Sequence, residues 1–142
     1  MGIWTWLRRG EGADAEEIHT HRAWHALHVA LTGEEQGGAS PAAWVVWTSP
    51  GAQEATFASA AFVHPPELIR EVAHWLAAVD FEAAVADLDA AIALGAQVYS
   101  FERWQGDLDM ARSGALREVF ERVRRFYAEA AEAGQAVTVR RG

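Results

Sequence analysis

One apolar stripe near the C-terminus narrows the possible folds more than any other part of the sequence. Leu116, Val119, Phe120, Val123, Phe126 and Tyr127 recur every three or four residues, which places them on a single face of an α-helix. A helix apolar on one side has to cover that side with a second layer. Gly134 follows where a helix is expected to close, because glycine enters the left-handed conformation without steric cost. Residues 136–140 then read as a closing strand.

Earlier in the chain the same rules give a mixed pattern. Residues 2–7 alternate as a short strand, and the polar, glycine-containing stretch 8–17 reads as a loop. A first helix is expected over 17–31, because Trp24, Leu27 and Leu31 share a face and Gly33 stands where a C-cap belongs. Two apolar runs, 43–48 and 56–63, flank Ser49, Pro50 and Gly51, which predicts a hairpin. Pro65 and Pro66 stop the second run and preset a helix start, with Glu67 near the positive end of its dipole. Leu68, Val72, Trp75, Leu76 and Val79 line one face of that helix. Asp80 is placed to cap the next, where Phe81, Val85, Leu88 and Ile92 keep the helical period as far as Gly95. Residues 97–101 read as a short strand and 102–113 as a polar loop. The expectation is an α+β fold: one compact domain over residues 1–142, with a small, mainly antiparallel sheet packed against about four helices.

Composition excludes several classes of function. The chain has 51% hydrophobic and 23% charged residues, which suits a globular domain and not a disordered one. The longest apolar run, residues 42–47, falls far short of the roughly 20 residues that span a bilayer. An N-terminal export signal would place positive charge before its apolar stretch, whereas Arg8 and Arg9 come after it. With no cysteine there is no disulfide framework and no thiolate chemistry, and a cytoplasmic location is the simplest expectation. A net charge of −8 repels nucleic acid. The arginines at 117, 122, 124 and 125 cluster, but Glu118–Arg122 and Glu121–Arg125 are spaced i,i+4, so the group reads as a salt-bridged helix surface.

Four of the six histidines lie between residues 19 and 28. On the helix expected there, His21, His25 and His28 share an arc beside the Trp24–Leu27–Leu31 stripe. A metal site is disfavoured: i and i+7 are separated by about 10 Å along a straight helix. The glutamate of the H-E-x-x-H pattern is absent, and no acidic side chain shares the face to orient the rings. Solvated or core-edge histidines are the expectation, with no metal and no cofactor.

Other chemistry leaves few marks. The chain has no G-x-S-x-G elbow, phosphate-binding loop, dinucleotide-binding glycine pattern or calcium-binding loop. Glu82, Asp87 and Asp89, like Asp107 and Asp109, read as the wet side of a helix or loop. Seven tryptophans are many for this length. Trp24 and Trp75 fit core stripes, whereas Trp4, Trp6, Trp44, Trp47 and Trp104 belong to the core or to a recognition surface.

Several segments together carry a resemblance. "HRAWHALHVALTG" resembles the D-K-x-W-x-x-L-H-x-L-L-T-G signature of the YfbM-like bacterial family, a domain of unknown function, with His21 and Arg22 in place of Asp and Lys. "AAFVHPPELIREVAHWLAAV" is similar to the family's strand-to-helix junction, "QVYSFERW" to its I-Y-P segment, with Ser100 replacing the proline, and "LREVFERVRRFYAEAAEAGQAVTV" to its last helix and strand. "TSPG" stands where a Gly-Gly is common near Trp47, and the N-terminal segment is shorter. The resemblance covers residues 18–139 and implies a compact α+β domain without implying a reaction.

Two functions are therefore expected in order. The first is a non-catalytic binding or interaction domain, with Trp24, His25, His28, Tyr99 and Trp104 as candidates for one polar-aromatic surface that takes a protein partner or a small ligand. Its acidity would suit a basic partner, and the chain itself would be a monomer or a homodimer. The second is a small hydrolase-like enzyme with a histidine base from the His21, His25 and His28 face or His64, assisted by Asp107 or Glu102.

Overall fold

The computed structural model describes residues 5–10, 15–21, 24–34, 41–46, 53–54, 61–96, 98 and 115–141. Strands β1 (Thr5–Arg9), β2 (Glu16–His21), β3 (Gln53–Glu54), β4 (Ala61–His64) and β5 (Val137–Arg141) form one sheet in the order β2-β1-β5-β4-β3. Every neighbouring pair is antiparallel. Among the described residues there are four α-helices, α1 (Trp24–Thr32), α2 (Pro66–Ala77), α3 (Phe81–Ala93) and α4 (Ala115–Glu132). The fold is α+β, and its first and last strands lie side by side at the centre of the sheet.

Alternation sets the two faces of the sheet. Leu7, Val137 and Val139 point to one face and are wholly buried, as period-two geometry requires of a strand with one covered side. The stripe of α4 belongs to the same core: Phe120, Val123, Phe126 and Tyr127 are all at most 1% exposed. Each such side chain contributes about 1.5–3 kcal/mol by leaving water, enough to fix which way the helix faces. Helix α2 lies against α4, and α1 against α3. The Tyr127 hydroxyl donates to the carbonyl of Val45 at 2.5 Å, so the buried phenol is satisfied. Burial pushes its pKa well above the usual phenol range.

Helix ends follow the sequence. The carboxylate of Asp80 accepts from the amides of Glu82 at 3.0 Å and Ala83 at 3.4 Å and caps α3. Pro65 and Pro66 open α2. At the end of α4, Gly134 has φ +68°, the Gln135 amide reaches the Ala130 carbonyl, and the Gly134 amide reaches that of Ala131, a paired closure that needs a residue in the left-handed region. The chain then turns directly into β5.

Arg9 ties this turn to the sheet. Its guanidinium donates to Gln135 at 2.9 Å, to Glu16 at 2.7 Å and to Glu129 at 2.9 Å, and it lies over the Phe126 ring. One side chain thus joins β1, β2, α4 and the entry to β5.

Three expectations are corrected. Residues 16–21 are strand β2, not the first turns of a helix, and α1 begins only at Trp24. Ile18 pairs with Leu7, and the β-branched Ile18 and Thr20 favour a strand once β1 offers an edge. The run expected as a strand over 43–48 begins within a short 3-10 helix, Ala42–Trp44, opened by Pro41, with Val45 and Val46 after it, buried in the core, and residues 47–48 lie outside the described residues. A short apolar run does not by its period distinguish a strand from a buried helix. The hairpin exists with another first limb: Gln53 and Glu54 pair with Val63 and Phe62. A smaller shift affects α2, whose buried face is Ile69, Val72 and Leu76, with Leu68 only partly covered. All but residue 98 of the short strand expected over 97–101, and the loop 102–113, lie outside the described residues. No described helix is long and apolar enough to cross a membrane.

Candidate functional site

Helix α1 carries the histidines inward. His25 is 3% exposed and His28 fully buried, alongside Leu27, Val29 and Ala30. The helix is buried nearly all round, as an element between other layers must be. The expected sharing of one solvated or core-edge flank by three imidazoles is therefore corrected twice: His21 belongs to β2, and His25 and His28 are interior groups. Neither imidazole is exposed. The side chains of His21 and Trp24, and all of Tyr99, Trp104, Glu102 and Asp107, lie outside the described residues. Among the described residues no three His, Cys, Asp or Glu side chains gather as metal ligands.

His64 ends β4, paired with Val137 and followed at once by Pro65 and α2. It is fully buried, and neither ring nitrogen has a hydrogen-bond partner among the described residues. Desolvation lowers its pKa from 6.5 to about 4, so the ring is neutral near pH 7. A hydrolytic base would need a route to substrate and a group to orient it, and no carboxylate among the described residues bonds to this ring.

The outer face of the sheet is different. Across strands β2, β1 and β5, His19, Trp6 and Arg140 are register neighbours. The Arg140 guanidinium sits 4.4 Å from the centroid of the Trp6 ring, and His19 meets that ring edge-on at 5.3 Å. Arg8, two residues along β1, lies between Glu17 and Thr138. Arg8, Glu17 and Arg140 are exposed, while Trp6 and His19 are half-buried. An imidazole–carboxylate pair, His19 with Glu17 at 3.4 Å, also lies on this face. Guanidinium over indole is worth about 0.5–1 kcal/mol at an exposed site, so the stack orients Arg140 while its charge still faces solvent. The result is a patch of Arg8, Arg140, Trp6 and the His19–Glu17 pair on a chain of net charge −8.

Sequence reasoning places Trp6 in a strand and leaves it between core and surface. The missing information is register: only the pairing of β1 with both β2 and β5 brings His19 and Arg140 to its two sides, and the pairing of opposite ends of the chain leaves no local signal.

Comparison with known proteins adds family and fold. A family model described as "Domain of unknown function (DUF1877)" matches residues 7–140. The crystal structure of YfbM from Escherichia coli, a protein of unknown function, superposes with a TM-score of 0.61 at 13% sequence identity, covering 96% of this chain and 98% of that one. At that identity the likeness concerns the fold alone. No curated protein matches.

Proposed function

The chain belongs to the family of the domain of unknown function DUF1877, and from that premise we propose that it is a non-catalytic binding module that meets a protein partner through the outer sheet face around Trp6. The observation that carries this reading is the Arg140–Trp6–His19 stack, flanked by the exposed Arg8. Tryptophan and arginine are among the residues most enriched where binding energy concentrates, because both combine large contact area with directed polar groups. Arg8 makes no ion pair among the described residues, so its guanidinium is available for a carboxylate on the partner. The partner surface is therefore acidic at this point, although the chain as a whole would steer basic molecules.

The test compares the full chain with Arg8→Glu, Arg140→Glu and, as a control on α4, Arg125→Glu. All three positions are exposed, so no buried side chain is changed. Immobilised wild type and the α4 control should retain the same protein from extract of the source cells, and both sheet-face variants should lose it. Retention that ignores the sheet-face charges, or no selective retention with a monomeric sedimentation profile, overturns the proposal. A dimer that both sheet-face variants dissociate would instead identify the partner as a second copy.

A further inference from the structure

Helices α1, α2 and α3 leave a groove of about 260 Å³ between them, lined by no residue of the sheet. Its floor is made of alanines: Ala30 and Ala84 are buried there, and their single methyl groups leave the space that larger residues would fill. Trp75, half-buried near the end of α2, forms an aromatic wall. Asp80, Ala84 and Asp87 recur at i, i+4 and i+7 from the cap of α3 onward and so face the groove together. Two carboxylates and no cation stand among its described lining residues. They are not equivalent. The Asp80 carboxylate is engaged in capping α3, whereas Asp87 is exposed and makes no hydrogen bond or ion pair among the described residues.

We propose that this groove binds a small organic ammonium ion, its apolar body against Trp75 and the alanine floor and its charge near Asp87. Each part of the lining selects for that chemistry. The Trp75 indole and the alanine floor favour a hydrocarbon body, and the exposed Asp87 carboxylate, with no partner among the described residues, attracts a cation and opposes anions. The volume suits a free small molecule and lies below that of most drug-sized pockets. Neither the site nor its ligand depends on the sheet-face partner.

Phenethylamine hydrochloride is a suitable probe, with 2-phenylethanol as its uncharged counterpart and sodium chloride at matched ionic strength as the blank. Amide and indole shifts of the isotopically labelled full chain should move saturably at residues 30–31, 75–80 and 83–87, with a dissociation constant on the order of millimolar for so small a ligand. Asp87→Asn should weaken binding about fivefold, as expected for one solvent-exposed charge pair, and Trp75→Leu should weaken it further. The alcohol should bind less tightly than the amine by a similar factor. Unchanged melting temperature and spectra elsewhere establish that Asp87→Asn is folded. Absence of saturable shifts, equal binding of amine and alcohol, or unaltered affinity in a folded Asp87→Asn protein would each overturn the proposal.

Discussion

Replacing His64 by leucine should change how stability depends on pH, by an amount the burial of the ring sets. In the native protein the imidazole is fully buried, has no hydrogen-bond partner among the described residues and titrates at about 4; unfolded, it returns to 6.5. Between those values the unfolded chain binds a proton that the native ring refuses, so acid favours unfolding. The penalty begins as pH falls through 6.5 and is complete below about 4. Across that interval, at about 1.36 kcal/mol per pH unit, it amounts to about 3 kcal/mol. For a chain of 142 residues that corresponds to about 10 °C in melting temperature. Leucine has nearly the same volume and no proton to exchange. At pH 7.5 it should leave stability unchanged or raise it by about 1 kcal/mol, because a buried polar ring with no partner among the described residues is removed. Urea unfolding of both proteins from pH 7.5 to 4.5 then measures the difference directly, since every other titrating group cancels. The His64→Leu variant should gain on the wild type by most of those 3 kcal/mol as pH falls. Parallel curves would refute the assignment of His64 as a neutral interior group, as would a His64 proton resonance titrating above pH 6.

Other interior polar contacts give simpler outcomes. Tyr127→Phe removes the bond to the Val45 carbonyl and leaves that buried acceptor empty, which should cost about 1–2 kcal/mol in denaturant unfolding. Asp80→Ala removes the cap of α3 and should cost about 1 kcal/mol by the same assay. Arg9→Met strips three hydrogen bonds from the junction of β1, β2 and α4; with Arg9 only 18% exposed, a loss of about 2–3 kcal/mol is expected, accompanied by faster amide exchange at Gln135 and Val137.

The parts of the fold legible in the sequence are those whose determinants are local. Period, cap and stop coincide in α4, where the stripe from Leu116 to Tyr127 and Gly134 mark a helix and its end, and in α3, where Asp80 and Gly95 bracket the period. Residues 16–21 are illegible because their strand state depends on β1, beyond a loop. Glu17 opens the helix expected over 17–31, and nothing nearby reveals that Glu16 is held by Arg9 and that Ile18 is paired with Leu7. β2 is also an edge strand, and edges tolerate charged residues that obscure the alternation. Residues 43–46 mislead for the opposite reason: an apolar run too short to have a period is assigned by composition, whereas Pro41 and the demand of Tyr127 for an acceptor at Val45 favour a turn.

The histidine cluster shows why a site is harder to read than a helix. Spacing at 21, 25 and 28 suggests one flank only if the helix extends back to residue 21; with the strand ending at His21, the remaining pair follows the core pattern of α1. Imidazole is polar by composition yet large and flat, and in a helix covered on all sides it packs as an aromatic would, provided that its nitrogens meet partners. The sheet-face patch has the reverse character: Trp6, Arg8 and Arg140 are unremarkable in sequence, and become a surface of one kind only when β5 closes beside β1. Chemistry that depends on residues brought together by the closing strand can be inferred only after that strand has been placed, and so the aromatic–cation arrangement that carries the binding proposal is also the one its sequence conceals.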